Sequence, residues 1–177
     1  AVSKRVLPTE CRLFVKVAPR TNTDSDLRGS PVVASAPPAW VAIGQVVDIH
    51  EDIAEIQLLS DPRSRIGVSL ADTPSFGSAL LMGAGMDRME LDYATHPHFL
   101  RDLTPHLILV TSRESQFPAG LAVAEIQPES GRQTSSSHLS PRPLISFGEL
   151  KYVVILAPAV DGVEDRPAEG VAGGGGG

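Results

Sequence analysis

The sequence predicts an all-β protein. Three observations carry that prediction. Apolar residues recur with a period of two along most segments. No window of about eleven residues holds apolar positions at i, i+3, i+4 and i+7 without a Pro or Gly breaking it. The 15 prolines and 16 glycines of the 177-residue chain punctuate it at short intervals. Many short strands with frequent turn residues are the pattern of a sandwich or of small barrels.

In chain order, Leu13, Val15 and Val17 alternate with Arg12, Phe14 and Lys16. Val41, Ile43, Val47 and Ile49 share one parity, and Ala54, Ile56 and Leu58 alternate with Glu55 and Gln57. Ile66, Val68 and Leu70 resume the alternation after the polar corner Ser60-Asp61-Pro62-Arg63-Ser64. Met89, Leu91 and Tyr93 alternate with Arg88, Glu90 and Asp92. A period of two sends each apolar set to one sheet face and the polar set to water. The continuous runs Leu107–Val110 and Tyr152–Leu156 read as strands covered on both faces. Residues 95–105 have room for one helical turn. Residues 127–143, rich in Ser, Pro and Arg, read as a long loop. Residues 159–177 lack the apolar side chains that offset ordering entropy, so a disordered Gly-rich C-terminal tail is expected.

Composition narrows the function classes. Hydrophobic residues make up 42% and charged residues 20%, as in an ordinary folded domain. The net charge of −6 argues against a nucleic-acid footprint, and Arg63 with Arg65 is the nearest approach to a basic patch. A single cysteine, Cys11, excludes a disulfide within the chain and, next to Leu13-Phe14-Val15, reads as a buried inert thiol. No apolar run approaches the roughly 20 residues of a membrane span, and no signal-peptide core is visible near residue 1.

Candidate chemistry is sparse. His96, His98 and His106, with Asp92, are the one histidine cluster, but no third-ligand spacing marks a metal site, and an exposed loop is the plainer reading. A chymotrypsin-like hydrolase has its parts in His50, Asp52 or Asp61, and Ser112. The turn around Ser112, Thr111-Ser112-Arg113-Glu114-Ser115, lacks the glycine that an oxyanion-binding turn calls for. A reactive-serine probe separates this alternative from the others. Gly83-Ala84-Gly85 leads into a strand and not into a helix N-terminus, so a bend is expected there and not a phosphate cradle. Glu51-Asp52 and Glu164-Asp165 read as solvated. No catalytic residue, cofactor or metal is assigned. A β module that binds a small ligand in an apolar pocket remains a further alternative.

Residues 44–70, GQVVDIHEDIAEIQLLSDPRSRIGVSL, resemble the core of the rod shape-determining protein MreC family. That family has a strand opening on Gly, then a strand ending in Leu-Leu-x-Asp-Pro-x-Ser, then a strand of Val-type residues. Arg28-Gly29-Ser30-Pro31-Val32-Val33, Met82-Gly83-Ala84-Gly85 with Met89–Tyr93, Leu109-Val110-Thr111-Ser112, Phe117-Pro118-Ala119-Gly120-Leu121 and Leu150–Leu156 follow in the family's order. The chain departs from it in Arg113–Gln116, which replaces a glycine-rich loop, around Ala124-Glu125, and in the length of 127–143.

The resemblance implies two small β-barrels, the second inserted into the first. Residues 1–66 plus 127–158 would form one barrel and 67–126 the other. It also implies a non-enzymatic scaffold of cell-wall elongation that helps maintain cell shape. Such a scaffold self-associates and binds the elongation penicillin-binding transpeptidase and other rod-complex membrane proteins. It works at the periplasmic face of the inner membrane, anchored in its parent protein by a helix preceding residue 1. Asp61 and Pro62 would then shape a type I turn with an Asx bond, and Pro118 with Gly120 a second turn. On that view Asp61→Ala costs about 1 kcal/mol, one local hydrogen bond. Phe76, Met82, Met86, Phe99 and Phe117, in or near turns of the second barrel, are the candidate partner contacts.

Overall fold

The computed structural model describes residues 2–7, 10–17, 27–71, 78–92, 107–126 and 141–157, the first seven of these by backbone alone. Among the described residues there are twelve strands and no helix. They are β1 (Val2–Leu7), β2 (Glu10–Lys16), β3 (Pro31–Ala36), β4 (Ala39–His50), β5 (Ile53–Leu58) and β6 (Arg65–Leu70). Then follow β7 (Ala79–Gly85), β8 (Arg88–Asp92), β9 (Leu107–Thr111), β10 (Ala122–Ile126), β11 (Arg142–Pro143) and β12 (Val154–Ile155).

The hydrogen-bonded path runs β1-β2-β5-β4-β10-β9-β6-β7-β8, with β3 on β4, β12 on β3 and β11 on β10. Two groups of strands are visible in it. β1 to β5, with β12, are joined by antiparallel ladders, and so are β6 to β10, with β11. A single parallel rung, Ala122 beside Val41, joins β10 to β4 and so links the groups. The path does not close on itself among the described residues. The changeover between groups falls in the corner 59–64, since β6 pairs with β7 from Arg65 onward. β11 pairs in the second group and β12 in the first.

The period-two residues supply the core. Leu13 and Val15, Ala54, Ile56 and Leu58, Ile66, Val68 and Leu70, and Met89 and Leu91 are all buried. They form one continuous cluster with Ile43, Leu109, Val123 and Phe147, so the core runs across both groups. Burial of such aliphatic side chains supplies roughly 1.5–3 kcal/mol each, which is why alternation places these strands so well.

Two strands differ from the expectation of cover on both faces. In β9 Leu109 is fully buried, while Leu107, Ile108 and Val110 are half-buried. The C-terminal strand is reduced to Val154–Ile155, and Tyr152 is 86% exposed. The strand is that short because pairing with β3 covers only Val154 and Ile155, and Tyr152 stands before it, outside any strand. Within the segment read as a loop, Arg142-Pro143 makes a short strand on β10. The expected helical turn at 95–105 and the tail at 159–177 lie outside the described residues.

Candidate functional site

The polar corner between the two strand groups is the most connected polar feature of the molecule. Leu59 and Ser60 end the apolar run of β5, and Asp61 opens a turn. The Ser64 N–H donates to the Asp61 carbonyl at 2.7 Å, closing a four-residue turn with Pro62 second. The Arg63 N–H donates to Asp61 Oδ1 at 2.8 Å, an Asx-type bond. The carboxylate then reaches beyond its own turn. The Cys11 N–H of β2 donates to Oδ2 at 3.2 Å, and Gln57 Nε2 of β5 donates to Oδ1 at 3.0 Å. Asp61 is fully buried.

Arg12 stands beside it. Its Nε lies 3.8 Å from Asp61 Oδ2 and 3.5 Å from Glu55 Oε1, and its side chain is 12% exposed. Neither Nε nor Nη1 makes a hydrogen bond among the described residues, so the described hold on Arg12 is its charge beside Asp61 and Glu55. A buried charge without its partner is costly, so the two ions require each other.

The network extends to the second strand group. Gln57 Oε1 accepts from Gln45 Nε2 at 3.3 Å, and Gln45 Oε1 accepts from Gln116 Nε2 in the 112–120 loop. Arg12, Gln57 and Gln45 are opposed across β2, β5 and β4, so they share one sheet face. Alternation sends Arg12 and Gln57 to water in the sequence reading. The structure instead covers them with the corner that Asp61 builds.

Gly83 completes the corner. A Cβ there would sit 2.5 Å from the Ser60 carbonyl carbon and closer still to the Asp61 carbonyl oxygen. The Gly83 N–H donates to Ser64 O at 3.2 Å and the Gly85 N–H to Ser60 O at 2.7 Å. The Gly-Ala-Gly segment therefore docks against the corner before it turns. Gly85, Met86 and Asp87 take positive φ of 79°, 50° and 59° and lead into β8.

The second turn is organised by Thr111. Its Oγ1 donates to Pro118 O and accepts from the Leu121 N–H, while the Gly120 N–H donates to Thr111 O at 2.9 Å. Gly120 has φ +87°, the left-handed region that glycine enters without strain. Thr111→Val is isosteric but leaves the Leu121 N–H and the Pro118 carbonyl unmet. We expect a loss of about 2 kcal/mol, read as a lower denaturation midpoint with an unchanged slope.

The other sequence candidates are scattered. His50 is exposed and its Nε2 pairs with Asp48 Oδ2 at 2.8 Å, not with Asp52. Ser112 lies beside Gly67 in the second group, and its Oγ is buried without a hydrogen-bond partner among the described residues, while His50 lies elsewhere, on Asp48. Asp52 pairs with Lys16 at 3.0 Å. Cys11 is buried and free. Phe117, a candidate contact in the sequence, is 4% exposed and belongs to the core instead of standing on the surface, because its turn folds the side chain inward. Met82 is half-buried, and Met86 is 73% exposed at the β7–β8 turn. Phe76, Phe99, His96, His98, His106, Glu164 and Asp165 lie outside the described residues.

Asp48 and Asp52 set an acid limit on stability. The Ile49 N–H, then Arg28, hold the Asp48 carboxyl below its ordinary 3.8, and the hydrogen bond and charge of Lys16 do the same for Asp52. A lowered folded pKa stabilises above the unfolded value and is lost as pH falls through the folded one. Asp48→Asn with Asp52→Asn is expected to lower the melting temperature slightly at neutral pH. As pH falls from 3.8 through the lower folded values the variant and parent melting curves approach each other.

An open all-β sheet whose buried polar groups fasten turns and strands to one another defines a structural β-barrel-like module. Residues 27–157 match the family model of the rod shape-determining protein MreC, barrel core, and the chain belongs to that family. Solved structures agree in fold. The crystal structure of MreC from Pseudomonas aeruginosa has 24% identity and a TM-score of 0.66, over 88% of this chain and 99% of that one. A second MreC structure has 24% identity and a TM-score of 0.65, over 88% and 86%. MreC from Listeria monocytogenes has 20% identity and a TM-score of 0.60, over 89% and 74%. No curated protein matches the sequence significantly. The family is one of cell-shape determinants, and no catalytic family is indicated.

Proposed function

We propose that the chain is a scaffold of the bacterial cell-wall elongation machinery, self-associating and binding the penicillin-binding transpeptidase of elongation together with other rod-complex membrane proteins. It works on the periplasmic face of the inner membrane, held there by a membrane anchor of its parent protein, and takes no nucleic acid and no cofactor. The observation that carries this reading is the family match over residues 27–157. The two strand groups correspond in this reading to two nested barrels.

Features of the surface support a binding role. β1 and β8 end the hydrogen-bonded path, and a terminal strand offers unpaired N–H and C=O groups to another chain. Met86 projects at the end of β7, beside a groove of about 620 Å³ between the β7–β8 turn and β11. An exposed methionine adapts to many partner surfaces.

The test is sedimentation across a concentration series, alone and with the periplasmic part of an elongation transpeptidase. A concentration-dependent assembly and a new complex are expected. A strict monomer that forms no complex refutes the proposed self-association and transpeptidase binding, and leaves the family membership in place.

A further inference from the structure

β7 carries apolar side chains on the face turned away from the core. Leu80 and Met82 are two positions apart and so share that face, while Leu81 between them belongs to the core. Leu80 is 37% exposed and Met82 is half-buried. Met86 stands exposed beyond them at the β7–β8 turn, so the apolar stripe is at most about 20 Å long.

The neighbouring strands flank this stripe with charges of opposite sign. Met82 is opposed by Arg65 on β6 and by Glu90 on β8. Leu80 is opposed by Gly67 and by Asp92 in the same way. Opposed residues share a face, so a base lies on one side of the stripe and two acids on the other. Arg88 ends the β8 row at the turn. Arg65, Glu90 and Asp92 are exposed, and none is in an ion pair among the described residues. Over Gly67, where a Cβ would meet Ser112 Oγ at 2.7 Å, the 112–115 loop borders the stripe.

Two properties of this face select its occupant. β7 is hydrogen-bonded to β6 on one side and β8 on the other, so it has no free edge for an added strand. A ligand here is held by side chains and must satisfy its own main chain, which a helix does. The flanks differ in sign, so the ligand needs an apolar stripe with bases along one edge and acids along the other. Anionic lipid and nucleic acid are repelled by Glu90 and Asp92.

We propose that the outer face of β7 docks an amphipathic helix of a partner protein. Its apolar stripe lies on Leu80 and Met82, with Lys or Arg toward Glu90 and Asp92 and an acid toward Arg65. Glu90 and Asp92 are about 7 Å apart. Residues i and i+4 of a helix are about 6 Å apart, so two lysines one turn apart reach both acids. The flexible Met82 and Met86 side chains adapt to the apolar residues offered. The proposal rests on the binding role given above and names the kind of segment bound, not the protein that carries it.

The probe is a synthetic amphipathic helix of about 18 residues, with a leucine stripe, lysines along one edge and glutamates along the other. Titrated into the isotope-labelled full chain, it is expected to move the amide signals of β6, β7 and β8 saturably and to leave β2 and β5 in place. Leu80→Ser should weaken binding about tenfold. Glu90→Lys combined with Asp92→Lys should weaken it by a similar factor, about tenfold, and a peptide with glutamate on both edges should prefer that variant to the parent. The melting temperature of each variant checks its fold. The proposal is overturned by a flat titration, by shifts confined to other strands, or by a charge-reversed variant that binds the original peptide as tightly. Shifts of this face driven by protein concentration alone give it to a second copy and also overturn it. A transpeptidase complex that forms while the peptide fails would sink the helix site and spare the reading above.

Discussion

Asp61→Ala is expected to destabilise the protein by about 4 kcal/mol, several times the cost of a local turn bond. The carboxylate accepts from Cys11, Gln57 and Arg63, which belong to β2, β5 and its own turn. Truncation leaves the two buried donors, from Cys11 and Gln57, unmet and removes the Asx bond of the part-buried Arg63 N–H. It also leaves Arg12 with only the half-exposed Glu55 at 3.5 Å. For a chain of this size the melting temperature should fall by about 10–15 °C. Asp61→Asn keeps the shape and one acceptor, so it should cost less while still losing the charge. Pairing Asp61→Ala with Arg12→Met removes the stranded cation and should recover part of the loss. A measured cost of 1 kcal/mol or less, with no coupling to Arg12, would reduce Asp61 to an ordinary turn residue.

Gly83→Ala is the second large effect, at about 3 kcal/mol. The added methyl would overlap the Ser60 carbonyl carbon and the Asp61 carbonyl oxygen, both backbone atoms that no rotamer change can move. The β7 strand would have to withdraw from the corner. The bonds from Gly83 to Ser64 and from Gly85 to Ser60 would lengthen together. Hydrogen exchange should show faster exchange at the Gly83 and Gly85 amides, with β2 and β5 unchanged. Gly29→Ala is the control. It tests backbone strain alone, because its Cβ would meet no neighbour within 4 Å. Gly83 itself has no positive φ, so a loss there no larger than at Gly29 would mean that the corner relaxes around the added methyl and the close approach costs little.

What the sequence made legible was whatever depends on period. Leu13, Ile56, Val68 and Leu91 could be placed inward from alternation, because a strand face is a local property. Asp61 and Pro62 were readable as a turn for the same reason. The reach of the Asp61 carboxylate to Cys11 was not readable, since fifty residues separate them. Arg12 and Gln57 were sent to water by parity, and only the folded corner shows what covers them. Gly83 was legible as a bend, but its contact with Ser60 depends on how β7 crosses the corner. Tyr152 was read as interior because its neighbours are apolar. It stands before the two-residue β12, outside any strand, and the point at which pairing stops is invisible in a run of apolar residues. The match to MreC was carried by the order of several weak motifs and by no single residue.

One rung of parallel pairing, Ala122 with Val41, and the single side-chain bond from Gln116 to Gln45 are the polar ties described between β4 and the second strand group. Everything else within each group is antiparallel ladder, which must be sheared many bonds at a time. Mechanically, the molecule is two hydrogen-bonded plates joined by a shared core, by the corner that Gly83 and Gly85 dock against, and by these few polar ties. A load applied to one plate and resisted at the other passes through side-chain packing more than through a ladder. A cross-link between positions 45 and 116 would add a covalent path to a joint that otherwise rests on packing and a handful of hydrogen bonds.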